Sequence, residues 1–121
     1  MGSNGHPMQL DSIDAQVLDS MADDYYGLWE IADYFAQLLP AMGRSASDEL
    51  SRSKLMQYVE AGFANVFVGN FQKGLFERAA DERALLSETA SWQRPTSITD
   101  VVVAATATQE AEAPVAKAWP K

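Results

Sequence analysis

The chain has 121 residues, which suits one domain of the usual roughly 100–200 residues, and 47% of them are hydrophobic, so a real core can be buried. It contains no cysteine, which excludes a disulfide framework, a thiolate metal site and a thiol nucleophile, and which fits a reducing cytoplasm. The net charge of −8 is unevenly placed: residues 1–34 hold Asp11, Asp14, Asp19, Asp23, Asp24, Glu30 and Asp33 with no Lys or Arg, whereas residues 35–94 balance.

Residues 1–10 are expected to form a flexible leader, with Met8 as a candidate native start. Met1 to Pro7 has neither the basic nor the apolar region of a signal peptide. No run approaches the roughly 18–20 apolar residues needed to span a bilayer, so no membrane partner is expected. The domain proper is expected over residues 11–108.

Asp11 or Ser12 can cap a first helix, in which Ile13, Val17, Leu18 and Met21 recur at helical spacing. Asp23-Asp24-Tyr25-Tyr26-Gly27 breaks that pattern. Leu28, Ile31, Ala32, Phe35, Leu38 and Leu39 then make the apolar stripe of a second helix that Pro40 stops, with Trp29 off the stripe. Ala41 to Ser47 reads as a loop. Ser45 or Ser47 is a candidate cap for a third helix, with Leu55, Met56, Val59 and Phe63 on one face and Leu50 nearly opposite. That leaves either separate packing for Leu50 or a helix that restarts near Ser51–Ser53. Gly62 ends the helix.

Asn65-Val66-Phe67-Val68 has a strand-like pattern and closes on the turn signal Gly69-Asn70. A short helix is expected from about Glu77 to Ser87, followed by an irregular bend at Trp92-Gln93-Arg94-Pro95. Ile98 to Thr106 is expected as a second strand, its Val101-Val102-Val103 centre buried on both faces. The Ala-, Glu- and Pro-rich stretch 109–121 is expected to be a loose tail. The expected class is therefore α+β: a three-helix core with a two-stranded antiparallel ribbon and an extra short helix between its strands.

Three helices feeding a two-stranded ribbon, with Asp23-Asp24-Tyr25, Leu28-Trp29-Glu30-Ile31 and the junction Val59-Glu60-Ala61-Gly62-Phe63-Ala64-Asn65-Val66-Phe67, resemble the winged-helix family. Ala84-Leu85-Leu86, Trp92, Pro95 and Val103-Ala104-Ala105-Thr106 resemble small uncharacterised bacterial members in which an enlarged wing carries a helix before the last strand. The likeness covers about residues 11–108. It implies a regulatory module, and invites DNA binding through the third helix and wing. Two features depart from a DNA reader: the connection Pro40 to Ser47 is longer than the turn of about 3–4 residues in a helix-turn-helix, and the third helix is not basic.

The chemistry-bearing residues are few. The sole histidine is His6, in the leader, so no His-based catalytic pair or metal site can be assembled. The N-terminal aspartates lack the glycine and terminal Glu of a calcium loop, and Gly69 to Gly74 lacks the length and the Ser/Thr of a phosphate loop. No catalytic residue, cofactor, metal or small-molecule substrate is indicated, and the chain is expected not to be an enzyme.

Two kinds of contact remain. Tyr25, Tyr26 and Trp29 gather at the turn into the second helix, and aromatic residues of this kind are enriched in interface hot spots. They are the candidate surface for a protein partner or self-association, the reading placed first. Arg44, Arg52, Lys54, Lys73 and Arg94 are the candidate contacts for the alternative, a DNA-binding transcriptional regulator, since phosphate contacts need local positive charge.

Overall fold

A computed structural model describes residues 8–120; the expectations placed on Met1 to Pro7, His6 included, lie outside these residues. In chain order the elements are α1 (Ser12–Ser20), β1 (Tyr26–Gly27), α2 (Leu28–Leu38), α3 (Arg44–Glu60), β2 (Ala64–Asn70), β3 (Leu75–Arg78), α4 (Glu82–Ser87), β4 (Val102–Ala107) and α5 (Glu112–Ala118). Single 3-10 turns occupy Pro40–Met42, Thr89–Trp92 and Gln109–Ala111. The class is α+β. The strands form one antiparallel sheet in the order β1-β4-β2-β3, so the β2–β4 pairing expected from sequence is extended on both sides by a short strand.

The start of α1 follows from its sequence. Asp11 accepts from the Asp14 N–H at 2.8 Å while Asp14 accepts from the Asp11 N–H at 3.1 Å, a reciprocal box that satisfies two helix-end donors. Ala15, Val17, Leu18 and Met21 are fully buried beneath it. In α2 the apolar stripe is buried as Leu28, Ile31, Ala32 and Phe35, and the helix stops at Leu38, before Pro40.

The third helix begins earlier than its composition suggests. Residues 44–47, expected as loop, are its first turn, and the buried face runs Ser47, Ser51, Leu55, Tyr58. Each serine hydroxyl donates to the carbonyl three residues back, Ser47 to Arg44 at 3.1 Å and Ser51 to Asp48 at 2.7 Å. Two small, internally satisfied side chains can therefore face the core where larger polar ones could not. The helix does not restart: Leu50 lies within it, half-buried against the core. Gly62, at φ +82°, follows it, the conformation that a helix exit into a strand favours in glycine.

Side-chain alternation sorts the sheet. Val66, paired with Ala105, faces the helices and both are fully buried; Phe67, paired with Ala104, faces away. Residues 75–78 pair with β2 as β3, so Glu77 and Arg78, expected to begin a helix, belong to a strand, and the inserted helix is confined to Glu82–Ser87 behind an Asp81 cap. The Glu82 carboxylate accepts from the Val66 N–H at 2.6 Å and from Arg78 at 3.0 Å, tying helix to sheet. Trp92 is buried and donates to the Leu86 carbonyl at 2.9 Å, in keeping with a packing role.

Three expectations need correction. The strand expected from Ile98 begins only at Val102: Asn70 donates to the Thr99 carbonyl at 2.7 Å, and Asp100 accepts from the Thr96 and Ser97 N–H groups at 3.0 Å each. That knot holds 96–100 as a loop, and leaves Ile98 and Val101 exposed rather than buried. The stretch after 108 is not loose: α5 packs on α1, with Val115 and, in the 3-10 turn before the helix, Ala111 buried. Nor does the described end of the leader hang free, since Met8 and Leu10 are half-buried against the core.

Candidate functional site

The face of the sheet turned away from the helices carries an aromatic layer. Tyr25 stacks on Phe76 (centroids 4.4 Å apart, 14° between planes) and meets Phe67 edge-on at 4.9 Å. Phe76 meets Phe71 at 5.1 Å, and Phe71 meets Trp29 edge-on at 6.0 Å. These are the offset and edge-to-face arrangements that ring quadrupoles favour, and they link α2, β2 and β3 with the residue before β1 and the turn after β2.

Small residues make the layer possible. Gly27 lies in one cross-strand row with Ala104 and Phe67, and a side chain at Gly27 would come within 1.9 Å of the Trp29 ring. The ring thus lies on the glycine. At Gly69 a side chain would meet the Leu75 carbonyl at 2.2 Å and the Phe76 ring at 2.5 Å. Ala104, on this outward face, is fully buried. Glycine beneath Trp29 and Phe76 is what lets these rings lie close on the sheet as a second, thin apolar layer outside the main core.

The layer ends at an exposed tip, where β2 finishes and β3 and β4 begin. Here Phe71, Leu75, Ile98 and Val101 are 40%, 68%, 70% and 74% exposed. Trp29, Phe71, Pro95 and Ile98 line a shallow cavity of about 260 Å³. The polar surroundings are mostly uncharged: Gln72, Thr96, Ser97 and Thr99, with Lys73 in the β2–β3 turn. The Asp100 carboxylate is taken up by Thr96 and Ser97.

Of the aromatic residues singled out from sequence, Tyr25 and Trp29 belong to this layer. Tyr26 does not: strand alternation sets it beside Ala105 on the helix side, half-buried against the core. Phe67, Phe71 and Phe76 complete the layer and were not anticipated. Only the pairing of β2 with β3 brings them to Tyr25, and a four-residue strand leaves little periodicity to read.

The candidate DNA-contacting cations do not form one free basic face, and the two that meet do so on an acid. Asp33 binds both Arg44 (2.7 Å) and Arg94 (2.9 Å), and Arg44 also binds Asp48 at 2.7 Å. Arg52 lies over the Trp92 ring at 5.8 Å, a cation–π contact. Lys54 turns inward to Asp14 at 3.2 Å. Lys73 is exposed in the β2–β3 turn. The exposed residues of α3 after its first turn are Glu49, Ser53, Gln57 and Glu60, which include two acids and no cation.

Inside, Asp14 joins α1 to α3. Its carboxylate accepts from the Tyr58 hydroxyl at 2.6 Å, the Asp11 N–H and Lys54. Burial alone would raise its pKa, but those three donors together outweigh burial and hold it below the ordinary carboxylate value. Burial, and then the adjacent Asp14, push the Tyr58 phenol above its ordinary value, so it remains a donor. Every contact in this group lies within the helical core, and its role is structural. Among the described residues no group of three or more acids or histidines could hold a metal ion, and no helix is long and apolar enough to cross a membrane.

No protein-family model matches the chain, and neither a curated protein nor a solved structure matches it.

Proposed function

We propose that the chain is a non-enzymatic, winged-helix-like regulatory module of the cytoplasm that works by self-association through the exposed tip of its sheet. The observation that carries this reading is the exposure of Phe71, Leu75, Ile98 and Val101 at one end of the sheet, with Phe71 and Ile98 beside Trp29. Contiguous exposed apolar surface of this kind marks interaction sites, because leaving it in water forfeits roughly 25 cal/mol for each Å² that contact would cover. The winged-helix likeness is supported by the chain order: a strand between the first two helices lies beside β4, which lies beside β2, with β3 and α4 as an insertion in the wing.

A second copy is the occupant favoured by the charge pattern. Despite the net −8, the tip itself carries one lysine, Lys73, and one acid, Asp100, whose carboxylate is held by the Thr96 and Ser97 N–H groups, so two tips can meet face to face with little opposing charge. The net negative charge lies mainly on the N-terminal third, whose seven acids are unbalanced by any Lys or Arg of that segment, and there it limits further association. The alternative, DNA binding through α3 and the wing, is poorly served by Arg44, Arg52, Lys54 and Arg94, which are engaged with acids or with Trp92. Duplex DNA at low salt is therefore expected to bind weakly or not at all.

Sedimentation velocity from about 1 μM to about 1 mM tests the reading. The wild-type chain is expected to pass from monomer to dimer in this range, and the exposed-site variant Phe71→Ser/Ile98→Ser to remain monomeric. A wild-type chain that stays monomeric throughout, or a variant that dimerises equally well, overturns self-association at the tip.

A further inference from the structure

β3 is the outermost strand on one side of the sheet, and among the described residues no element besides β2 packs extensively against it. Its Leu75, Glu77 and Arg78 are exposed and Phe76 is half-buried. The opposite edge offers less, since β1 is two residues long and runs directly into α2. Edge strands are commonly blocked by proline, by a bulge or by a covering loop, because their unpaired backbone groups are a template for another strand. Leu75-Phe76-Glu77-Arg78 has no proline and pairs with β2 residue for residue, without a bulge. Its two charged residues do not block the edge; they decide how it can be used.

The backbone fixes which residues can pair. The Ala79 N–H donates to the Val66 carbonyl at 2.9 Å, so by the alternation of an antiparallel ladder Leu75 and Glu77 also turn their backbone groups to β2. Phe76 and Arg78 turn theirs to the open edge. A second copy of β3 can then add antiparallel about a two-fold axis, in registers centred on residue 76, 77 or 78. Centring on 77 sets Glu77 against Glu77, and centring on 78 sets Arg78 against Arg78; like charges directly opposite destabilise a pair. Centring on 76 sets Phe76 against Phe76 and Leu75 against Glu77, with Arg78 opposite Gly74. It also lays each β2–β3 turn, with its exposed Lys73, alongside residues 79–81 of the other copy, where Asp81 supplies the opposite charge.

We infer that the self-association proposed above, on which this inference rests, is a pairing of two β3 edges in the register centred on Phe76. The partner is a second copy of this chain, and the two sheets become one continuous antiparallel sheet. The Phe76 rings meet across the axis, so the two aromatic layers join as well, and Leu75, exposed at the tip, is covered by the added strand. Glu77 and Arg78 reject the other two registers, which makes the pairing specific.

The chain has no cysteine, so introduced thiols report the register alone. In this register Leu75 and the Glu77 of the second copy form a non-hydrogen-bonded pair with Cα atoms roughly 4.5 Å apart, inside disulfide range, whereas the two Glu77 residues lie beyond the limit of about 7 Å. At concentrations where sedimentation shows the dimer, a mixture of Leu75→Cys and Glu77→Cys chains, one with a mass tag, is oxidised mildly. It is expected to cross-link at least about fivefold faster than either chain alone. A nitroxide on Glu77→Cys, mixed with isotope-labelled wild-type chain, leaves the tip residues native and is expected to broaden the amide signals of Leu75 and Phe76 most. Glu77→Cys cross-linking alone as fast as the mixture, or broadening centred away from β3, would overturn the register. A dimer that gives neither signal overturns the pairing of β3 edges and leaves self-association at the tip standing. A chain that stays monomeric removes both.

Discussion

Asp14→Ala is expected to lower the unfolding free energy by about 3–5 kcal/mol, the scale seen when one partner of a buried ion pair is removed. Three losses add in one substitution. Tyr58 is left with a buried hydroxyl that has no acceptor, Lys54 with a largely covered ammonium, and Asp11 without the reciprocal half of its helix cap. Tyr58→Phe removes one charge-assisted hydrogen bond and is expected to cost less, about 1.5–3 kcal/mol. Lys54→Met should cost least, because Lys54 is partly exposed and its stem keeps its packing. Urea midpoints at constant slope measure the series, and an Asp14→Ala chain as stable as wild type would show that the network contributes nothing.

The same carboxylate gives the stability a pH dependence with a definite sign. Its folded-state pKa lies below the unfolded value of about 3.9. Its contribution is therefore complete above that unfolded value and is lost as the pH falls through the lower, folded-state value. Acid unfolding should begin at higher pH in Tyr58→Phe, because removing the hydroxyl removes a donor that keeps the carboxylate ionised.

What could be read from the sequence follows from how much of each element depends on local pattern. The first two helices were legible because Val17, Leu18, Leu28, Ile31 and Phe35 place their apolar faces by spacing alone, and Asp11 and Pro40 mark ends with their own chemistry. In α3 the pattern misleads, since the core-facing positions include Ser47 and Ser51, polar by composition but satisfied inside the helix. The two residues of β1 are too few for any period, and α5 hides in a stretch whose alanines look like low complexity until α1 gives them a surface to pack against.

The candidate surfaces were less legible than the fold, for a related reason. Tyr25 and Trp29 stood out as aromatic residues off an apolar stripe, yet their partners Phe67, Phe71 and Phe76 arrive from a hairpin forty residues or more away. Ile98 and Val101 look like core residues of a strand, and only the hydrogen bonds from Asn70 and to Asp100 show that this segment loops out at the sheet's end. The charge pattern behaved similarly. Arg44 and Arg94 are fifty residues apart and converge on one Asp33, which no local reading of either could supply.

Gly69→Ala tests whether the hairpin that builds the tip depends on that close fit. The added methyl would meet the backbone carbonyl of Leu75 at 2.2 Å, and a paired backbone cannot rotate aside as a side chain can. Overpacking of this kind typically costs about 1–3 kcal/mol, and an obstacle made of backbone places this case at the upper end. Gly27→Ala provides the contrast. Its obstacle, at 1.9 Å, is the Trp29 ring, which can swing away, so it should unseat the tryptophan and red-shift its emission while disturbing the sheet less. At Gly62 the space is open, and the penalty of an alanine is that of the positive φ alone, roughly 1–2 kcal/mol. If β3 is displaced as this geometry requires, Gly69→Ala should also abolish the concentration-dependent dimer at temperatures where the helical core remains folded. Retention of both the dimer and wild-type stability would mean that β3 does not press on β2 at Gly69, and that the tip is not built on that contact.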